Sequence, residues 1–215
     1  MPLDRSIIDQ TLATAYGEHA YKLVVALEDA GFDTWWVGGG VRDMLQRGTP
    51  KDIDIATTAT PQQISEVFPA AREVPRPLGS VRIRMGGKYV FEVTTFRQES
   101  TVSDGRIPES VTFSDRIADA ARRDFTINAL YFHPISRTLY DPFNGEADLR
   151  EKLIRFVGSP VERILHDTLR IMRAVRFRAR INEQYHPETY SALREHAQLI
   201  KQLSGTRKLG ELEKL

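Results

Sequence analysis

Apolar residues recur at helical spacing over residues 7–30, which predicts a long N-terminal helix that ends at Gly31. The apolar run at 35–37 predicts a short buried strand. A run of glycines follows it, and residues 41–46 again show a helical pattern. The first unit of the chain is therefore predicted to be a strand, a glycine turn and a helix.

Alternation of polar and apolar residues predicts the next strands. Residues 51–56 alternate with the period of a half-buried strand. Residues 81–85 and 89–96 are also strand-like, and the Gly-Gly pair between them is a strong hairpin signal. Thr60 followed by proline predicts a helix through Phe68, because proline is favoured at the first helical position.

The rest of the chain is predicted to change from mixed structure to helix. Residues 98–108 are predicted to form an exposed mobile loop, and residues 115–128 a helix that passes into a strand. Residues 138–140 and 153–156 are predicted to be short strands, and residues 160–215 a helical region. We place a boundary near Gly158. The fold class is therefore predicted to be α+β, with a mixed head over residues 1–157 and an all-helical part over residues 158–215.

Composition narrows the classes of function. The chain has 215 residues, 41% of them hydrophobic, and no cysteine, which excludes disulfides, thiolate zinc sites and a cysteine nucleophile. It contains no apolar run of about 18 residues and no secretory signal, so we expect a soluble, cytoplasmic protein with no membrane contact. The net charge of +1 conceals a cluster of arginines between residues 149 and 180, which favours an anionic ligand there.

The glycine turn is the first candidate for chemistry. It reads VGGGVRD at 37–43, between the predicted strand and helix. Glycines let the backbone approach a ligand closely, and a helix N-terminus offers unpaired N–H groups to phosphate. Arg42 adds a fork of donors, and Gly39 lies at the centre of the turn. On its own the motif is equally consistent with a tight structural turn.

Acidic residues form the second candidate. Asp52 and Asp54 are two apart on a predicted strand, so their side chains share one face. Adjacent carboxylates repel unless a cation bridges them, and their oxygens suit magnesium. A solvent-exposed strand edge is the alternative for this pair. Glu92 completes the acidic cluster if its strand lies beside that of Asp54; otherwise it is the partner of a nearby arginine.

Arginines mark the third candidate. Arg123 belongs to the stretch RRDFTIN at 122–128, which offers contacts to phosphate and hydroxyl groups. A further set is spaced by three residues, which on a helix forms one polar stripe: Asp167, Arg170, Arg173 and Arg176. The stripe could be a solvated face of internal salt bridges. Three arginines against one aspartate make self-pairing a poor match, so an external anion or base edge is favoured.

With these residues in place, the chain resembles the family of class II tRNA nucleotidyltransferases and bacterial poly(A) polymerases, within the DNA polymerase beta superfamily. The ordered motifs that carry the resemblance are VGGGVRD at 37–43, KDIDIATTATP at 51–61, EVTTFR at 92–97, RRDFTINAL at 122–130, DPFNG at 141–145 and DTLRIMRAVRF at 167–177. Each motif is moderately specific, and their common order makes the resemblance specific.

The resemblance implies a polymerase beta-like head, with a mixed or antiparallel sheet and flanking helices, followed by a helical neck that selects the nucleotide. It implies addition of CMP and AMP from CTP and ATP to the 3′ end of tRNA. Asp52 and Asp54 would hold two magnesium ions, and Glu92 is the third catalytic candidate. The residues implied to bind nucleotide are Gly39, Arg42, Arg123, Asp167, Arg170, Arg173 and Arg176.

Several alternatives stay open at this point. The stretch LGSV at 78–81 resembles CCA-adding enzymes more than poly(A) polymerases, yet CC-only or A-only addition shares the same motifs. A non-catalytic module that binds nucleotide or RNA is the alternative from another class. The family usually continues into body and tail domains, so we expect only the head and part of the neck here. The oligomeric state is open, and a dimer is possible.

Overall fold

The computed structural model describes residues 5–46, 48–74, 79–98, 112–181 and 184–214. The α-helices in these ranges are α1 Arg5–Ala13, α2 Ala15–Asp29, α3 Gly39–Leu45, α4 Pro61–Val67, α5 Arg116–Ala121, α6 Gly145–Glu151, α7 Pro160–His166, α8 Leu169–Ile181, α9 Pro187–Glu195 and α10 Gly205–Leu212. The strands are β1 Thr34–Val37, β2 Asp54–Thr57, β3 Arg72–Val74, β4 Ser80–Met85, β5 Tyr89–Thr95, β6 Arg97–Gln98, β7 Thr112–Phe113, β8 Tyr131–His133, β9 Thr138–Tyr140, β10 Leu153–Ile154 and β11 Gln184–Tyr185. Short 3₁₀ turns cover Thr126–Asn128 and Ala197–Gln202.

Seven strands form the main sheet, in the order β3-β4-β5-β2-β1-β8-β9. All neighbours in it are antiparallel except β2 and β5, which are parallel. The predicted α+β class with a mixed sheet is therefore confirmed. The parallel pair has Ile55 opposite Val93, so the start of β2 lies level with Glu92 on β5. This topology positions the acidic candidates side by side.

Both faces of the sheet are covered. On one face α2 and α4 pack on a core that includes Leu27, Trp36 and Ile55. On the other, Trp35 and Tyr131 belong to a smaller core with buried residues of α5 and of the segment after β10. Adjacent residues of β1 therefore enter opposite cores, which explains why this strand is an uninterrupted apolar run rather than an alternating one.

The predicted N-terminal helix is divided in two. Thr14 separates α1 from α2 and has extended backbone angles. Its hydroxyl accepts a hydrogen bond from the backbone N–H of Gly17 at 2.9 Å and donates one to the carbonyl of Thr11 at 2.7 Å. A threonine N-cap thus starts a second helix within one apolar pattern. The periodicity reported the buried faces correctly but not the break.

Most of the local signals in the head are confirmed. The Gly86-Gly87 hairpin joins β4 to β5. Thr60 and Gln63 form a reciprocal capping box at the start of α4. The strand predicted over 51–56 begins only at Asp54, because its pairing with β1 starts there. Of the loop predicted over 98–108, Gln98 belongs to β6, and residues 99–108 lie outside the described residues.

The part after residue 158 is helical as predicted, with the two-residue strand β11 as an addition. The helical region predicted over 160–215 begins with two helices, α7 and α8, separated at Asp167 and Thr168. One hydrophobic core crosses residue 158, since Phe125 and Phe156 pack with Ile171. In the described ranges, no helix has the length and hydropathy needed to span a bilayer.

Candidate functional site

A cleft of about 440 Å³ opens where the head meets α8. Its lining comes from the start of α3, the start of β2, the segment 122–128 and the first half of α8. The predicted site residues that line it are Gly39, Arg42, Asp54, Arg123, Asp167, Arg170, Arg173 and Arg176. Asp52 and Glu92 do not line it. Residues separated by more than 130 positions in sequence are therefore brought into one cleft.

The glycine turn is packed tightly against this cleft. Gly38 has φ +71°, and a Cβ there would lie 3.1 Å from Nη1 of Arg123. A Cβ on Gly40 would lie 2.6 Å from the carbonyl oxygen of Asp52, a separation that real Cβ atoms do not show. Gly38 therefore supplies a conformation that favours glycine, and Gly40 allows α3 to approach the acidic segment. These contacts support a structural role for the glycine turn. Its position in the cleft is also consistent with the predicted binding role.

The acidic pair lies at the entry to β2. Asp52 and Asp54 are exposed while Ile53 and Ile55 are buried, as the alternation predicts. The surrounding protein keeps water from part of the Asp54 carboxylate, and this desolvation raises its pKa. The charge of Arg123 lowers the pKa, whereas the charges of Glu92 and Asp52 raise it further. A clustered negative charge is therefore present at this end of the sheet. Such an excess is relieved by a bound cation.

Glu92 has two neighbours that match its two predicted roles. It lies beside β2 as one alternative requires, and its charge acts on Asp54. Its Oε2 also lies 3.8 Å from Nε of Arg82, an exposed ion pair. Among the residues that the structure describes, no three His, Cys, Asp or Glu side chains are grouped closely enough to hold a metal. Asp52 and Asp54 thus remain the candidate pair, without a preformed third ligand.

Asp119 pairs with Arg122 and Arg123 at the cleft, and the sequence analysis did not identify it as a site residue. It is fully buried and accepts hydrogen bonds from Nη2 of Arg123 at 3.0 Å, from Nε of Arg122 at 2.8 Å and from the Tyr131 hydroxyl at 2.6 Å. Burial alone would raise the pKa of Asp119, but the charges of Arg123 and Arg122 hold it below its usual value. Its position four residues before Arg123, in the segment predicted as a helix, was the available signal.

The same basic cluster extends to Arg97. Its backbone N–H donates to Oδ1 of Asp119 at 3.4 Å. Burial, followed by the positive charge of Arg122, lowers the pKa of Arg97 to about 10. One buried carboxylate therefore lies among several arginines, which leaves a net positive charge behind the cleft. A positive field of this kind favours an anionic ligand.

A buried hydrogen-bond chain joins the glycine-turn helix to α8. Nη1 of Arg42 donates to Oδ1 of Asn128 at 2.6 Å, and Nδ2 of Asn128 donates to Oδ1 of Asp124 at 3.0 Å. Nε of Arg173 donates to Oδ2 of the same carboxylate at 2.7 Å. Burial would raise the pKa of Asp124, but Arg173 and the hydrogen bonds hold it well below the usual range. Asn128 and Asp124 lie within the RRDFTINAL motif, which did not indicate that they connect α3 to α8.

The arginine stripe on α8 is largely buried and paired within the protein. Arg170 donates to the carbonyls of Arg163 and Arg122 at 3.1 and 3.0 Å. Arg176 donates through Nε to Oε2 of Glu211 at 2.7 Å. The argument that self-pairing is a poor match counted only Asp167, whereas carbonyls, Asp124 and Glu211 from other parts of the chain also pair with these arginines. The arginines are therefore paired within the protein, as one of the two alternatives stated. Their face of α8 is largely buried, however, and not exposed to solvent.

Asp167 is not on the helix with the arginines. It has extended backbone angles at the end of α7, and its Oδ1 accepts hydrogen bonds from Nη2 of Arg207 at 2.9 Å and from the N–H of Leu169 at 3.1 Å. It nevertheless lines the same cleft as Arg170. The sequence spacing therefore predicted correctly that Asp167 and Arg170 lie together. It was wrong that Asp167 belongs to the same helix.

The fold and the cleft define a class: a polymerase beta-like α+β domain in which Asp54, at the sheet end, faces a cleft lined by arginines and a glycine turn. The family model for the poly(A) polymerase head domain matches residues 34–155, more than half of the chain. The chain therefore belongs to this family, as the ordered motifs predicted.

Relatives and solved structures agree with this assignment. The CCA-adding enzyme of Levilactobacillus brevis is 43% identical over 199 residues, which are 92% of this chain and 50% of that enzyme. The crystal structure of the Bacillus stearothermophilus CCA-adding enzyme in complex with CTP matches with a TM-score of 0.83 at 37% identity, covering 94% of this chain and 48% of that chain. A tRNA nucleotidyltransferase complexed with a primer tRNA and an incoming ATP analog matches with a TM-score of 0.73 at 28% identity, covering 89% and 55%. The chain spans about half the length of these proteins.

The contact of Gly40 with the acidic segment is testable by substitution. Gly40→Ala places a Cβ against the carbonyl oxygen of Asp52, so we expect the free energy of unfolding to fall by about 1–3 kcal/mol, the usual cost of overpacking. Urea denaturation measures this change. Gly39→Ala is the matched control, since its Cβ would meet only Nη2 of Arg42 at an ordinary 3.5 Å. Equal stability of the two variants would contradict the close packing.

The charge on Asp119 predicts a pH-dependent stability. Asp119→Asn should lower the free energy of unfolding by about 3 kcal/mol at pH 7, because it leaves two partly buried arginines without their fully buried carboxylate. The folded-state pKa is depressed, so this stabilisation is complete above the ordinary pKa of aspartate and is lost as the pH falls through the lower folded-state value. Urea denaturation at pH 7 and in acid measures the difference. Asp9→Asn, which removes an exposed ion pair with Arg137, should cost under about 1 kcal/mol.

Proposed function

We propose that this chain carries the nucleotidyl-transfer centre of a template-independent enzyme that adds CMP and AMP from CTP and ATP to the 3′ end of tRNA. The observation that carries the proposal is the convergence of Asp54, Arg42, Arg123 and Arg170 on one cleft of about 440 Å³. A site for a nucleoside triphosphate needs positively charged side chains to bind the phosphates. It also needs carboxylates to bind the metal ion that accompanies the phosphates. The relatives named above support the choice of reaction.

Magnesium fits the acidic end of the cleft. Asp52 and Asp54 would hold it, because magnesium in nucleotide sites is usually bound by one or two carboxylates together with substrate phosphates. Burial is the main cause of the raised pKa of Asp54, and the charges of Glu92 and Asp52 add to it. A divalent cation would offset the part that comes from these neighbouring carboxylates. The chemistry that magnesium supplies when bound is activation of the attacking RNA 3′-hydroxyl and neutralisation of charge on the leaving pyrophosphate.

The residues around the glycine turn suit the triphosphate. Arg42 is buried at the cleft, where Asn128 and Asp43 accept from its two terminal nitrogens and its Nε has no hydrogen-bond partner among the described residues. Arg123 is held by Asp119 and Tyr131, so its guanidinium cannot rotate away. Together with the backbone of Gly39, these groups would orient the phosphates and stabilise the charge that develops on pyrophosphate.

The residues after 158 suit selection of the base. The carboxylate of Asp167 accepts hydrogen bonds, and cytosine and adenine both offer an exocyclic amino group as donor. Uracil offers an acceptor oxygen at the corresponding position, which a carboxylate repels. Arg170, Arg173 and Arg176 would supply the matching donors. We therefore propose a division in which residues 1–157 provide catalysis and residues 158–215 provide nucleotide selection, across one shared core.

A transfer assay tests the catalytic assignment. The full chain is incubated with magnesium, labelled CTP and ATP, and tRNA that lacks its 3′ CCA end. We expect incorporation that falls at least about a hundredfold in Asp52→Asn and in Asp54→Asn, because charge stabilisation at the reacting phosphate is lost. Asp29→Asn, an exposed aspartate at the end of α2, is the control and should retain full activity.

The same assay separates the remaining activities. CTP alone, ATP alone and both together distinguish CCA addition from CC-only, A-only or poly(A) synthesis. Binding of labelled nucleotide without any incorporation at high protein concentration would identify a non-catalytic binding module instead. Incorporation that survives both aspartate substitutions would sink the acidic assignment.

Base selection predicts a change of specificity in one variant. Asp167→Asn replaces an acceptor-only carboxylate by an amide that can also donate to O4 of uracil. We expect the ratio of CTP to UTP incorporation to fall by about fivefold to a hundredfold, the range that one or two base-edge hydrogen bonds provide. Competition between the labelled nucleotides measures the ratio, with Asp29→Asn as control. An unchanged ratio would show that Asp167 does not read the base.

A further inference from the structure

The acidic segment is fixed by sheet pairing on only one side. The pairing of β1 with β2 ends at Val37 opposite Asp54, and the pairing of β2 with β5 begins at Ile55. Asp52 and Ile53 precede the strand and have no ladder partner. The sheet therefore fixes Asp54 but does not by itself fix Asp52.

A tyrosine on α2 supplies the missing contact. The phenol oxygen of Tyr16 accepts a hydrogen bond from the backbone N–H of Ile53 at 3.4 Å. Its ring stacks on Phe91 of β5 with centroids 4.6 Å apart and an interplanar angle of 22°, and it meets Tyr89 edge-on at 5.7 Å. Phe91 directly precedes Glu92. One side chain thus contacts the backbone between the two aspartates and the strand that carries the third acid.

The opposite side of the same segment rests on Gly40. The carbonyl oxygen of Asp52 faces this glycine closely enough to exclude a Cβ, and the Cα of Ile53 lies at an ordinary contact distance from that position. The segment is therefore held between α3 on its carbonyl side and Tyr16 on its amide side. Burial raises the pKa of Tyr16, the Ile53 hydrogen bond opposes that shift, and the charges of Asp52 and Asp54 raise the pKa again. The hydroxyl thus remains neutral while it accepts from Ile53.

We propose that Tyr16 is a positioning residue that sets the separation of the Asp52 and Asp54 carboxylates for binding of a divalent cation. The phenol acts through the backbone of Ile53, and the ring anchors it to β5. This inference rests on the proposed function for the identity of the cation site. It concerns affinity for the cation, so it can be measured without nucleotide or tRNA.

The test compares two tyrosine variants that each lose one hydroxyl. Tyr16→Phe keeps the ring contacts and removes the acceptor for Ile53. Tyr89→Phe is the matched control, since Tyr89 belongs to the same aromatic group and its hydroxyl makes no hydrogen bond among the described residues. Mn²⁺ is the probe, titrated into the full chain and followed by electron paramagnetic resonance. Amide hydrogen exchange at Ile53, measured by NMR, reports the hydrogen bond directly.

We expect Tyr16→Phe to weaken Mn²⁺ binding by about two- to tenfold, the range that corresponds to one net hydrogen bond, and to speed exchange of the Ile53 amide. Tyr89→Phe should leave both unchanged. A variant that loses global stability by urea denaturation while retaining its Mn²⁺ affinity would overturn the proposal in favour of a purely structural role, as would equal affinities in both variants.

These measurements distinguish a failure of the Tyr16 proposal from a failure of the proposed transferase function. Wild-type chain that binds Mn²⁺ through Asp54, as judged by loss of binding in Asp54→Asn, but transfers no nucleotide would reject the transferase while leaving the role of Tyr16 measured. Wild-type chain that shows no Mn²⁺ binding dependent on Asp54 would overturn the role of Tyr16 together with the cation site.

Discussion

The buried carboxylate of Asp124 is the group on which the cleft depends. It is 7% exposed, and a charge removed from water is costly unless it is paired and hydrogen-bonded. Arg173, Asn128 and the backbone N–H of Phe125 all donate to it. Because Asp124 belongs to the head and Arg173 to α8, this ion pair links the helical part to the sheet, together with the hydrophobic core that crosses residue 158. Asn128 extends the constraint to Arg42, so both walls of the cleft are held together.

Internal pairing gives the arginines a role that unpaired side chains could not fill. A free arginine in solvent loses considerable rotamer entropy when it binds a ligand. Arg170 and Arg176 are already held by backbone carbonyls and by Glu211, and a guanidinium has five donors, so one partner does not exhaust it. The cleft therefore presents charge in fixed directions. Such preorganisation is the usual source of electrostatic stabilisation in enzymes.

The sequence predicted the elements that short-range interactions decide. The Gly86-Gly87 hairpin and the Thr60 cap are set within four residues of chain, and both were located correctly. The break at Thr14 was missed, because an apolar stripe continues across it and only the cap geometry reveals the second helix. The late start of β2 was missed for a related reason: alternation marks exposed and buried sides, whereas a strand also requires a paired neighbour.

The order of motifs by itself determined the family, and it predicted the acidic and basic residues of the candidate site. Only the tertiary structure decided two of the charge pairs, Arg173 with Asp124 and Arg176 with Glu211, whereas Asp119 and Arg123 are only four residues apart. The first two pairs are 49 and 35 residues apart in sequence. Local patterns report burial and turn geometry, but the partner of a buried charge is selected by packing between distant elements. The prediction that internal pairing is a poor match for the α8 arginines missed these partners for that physical reason.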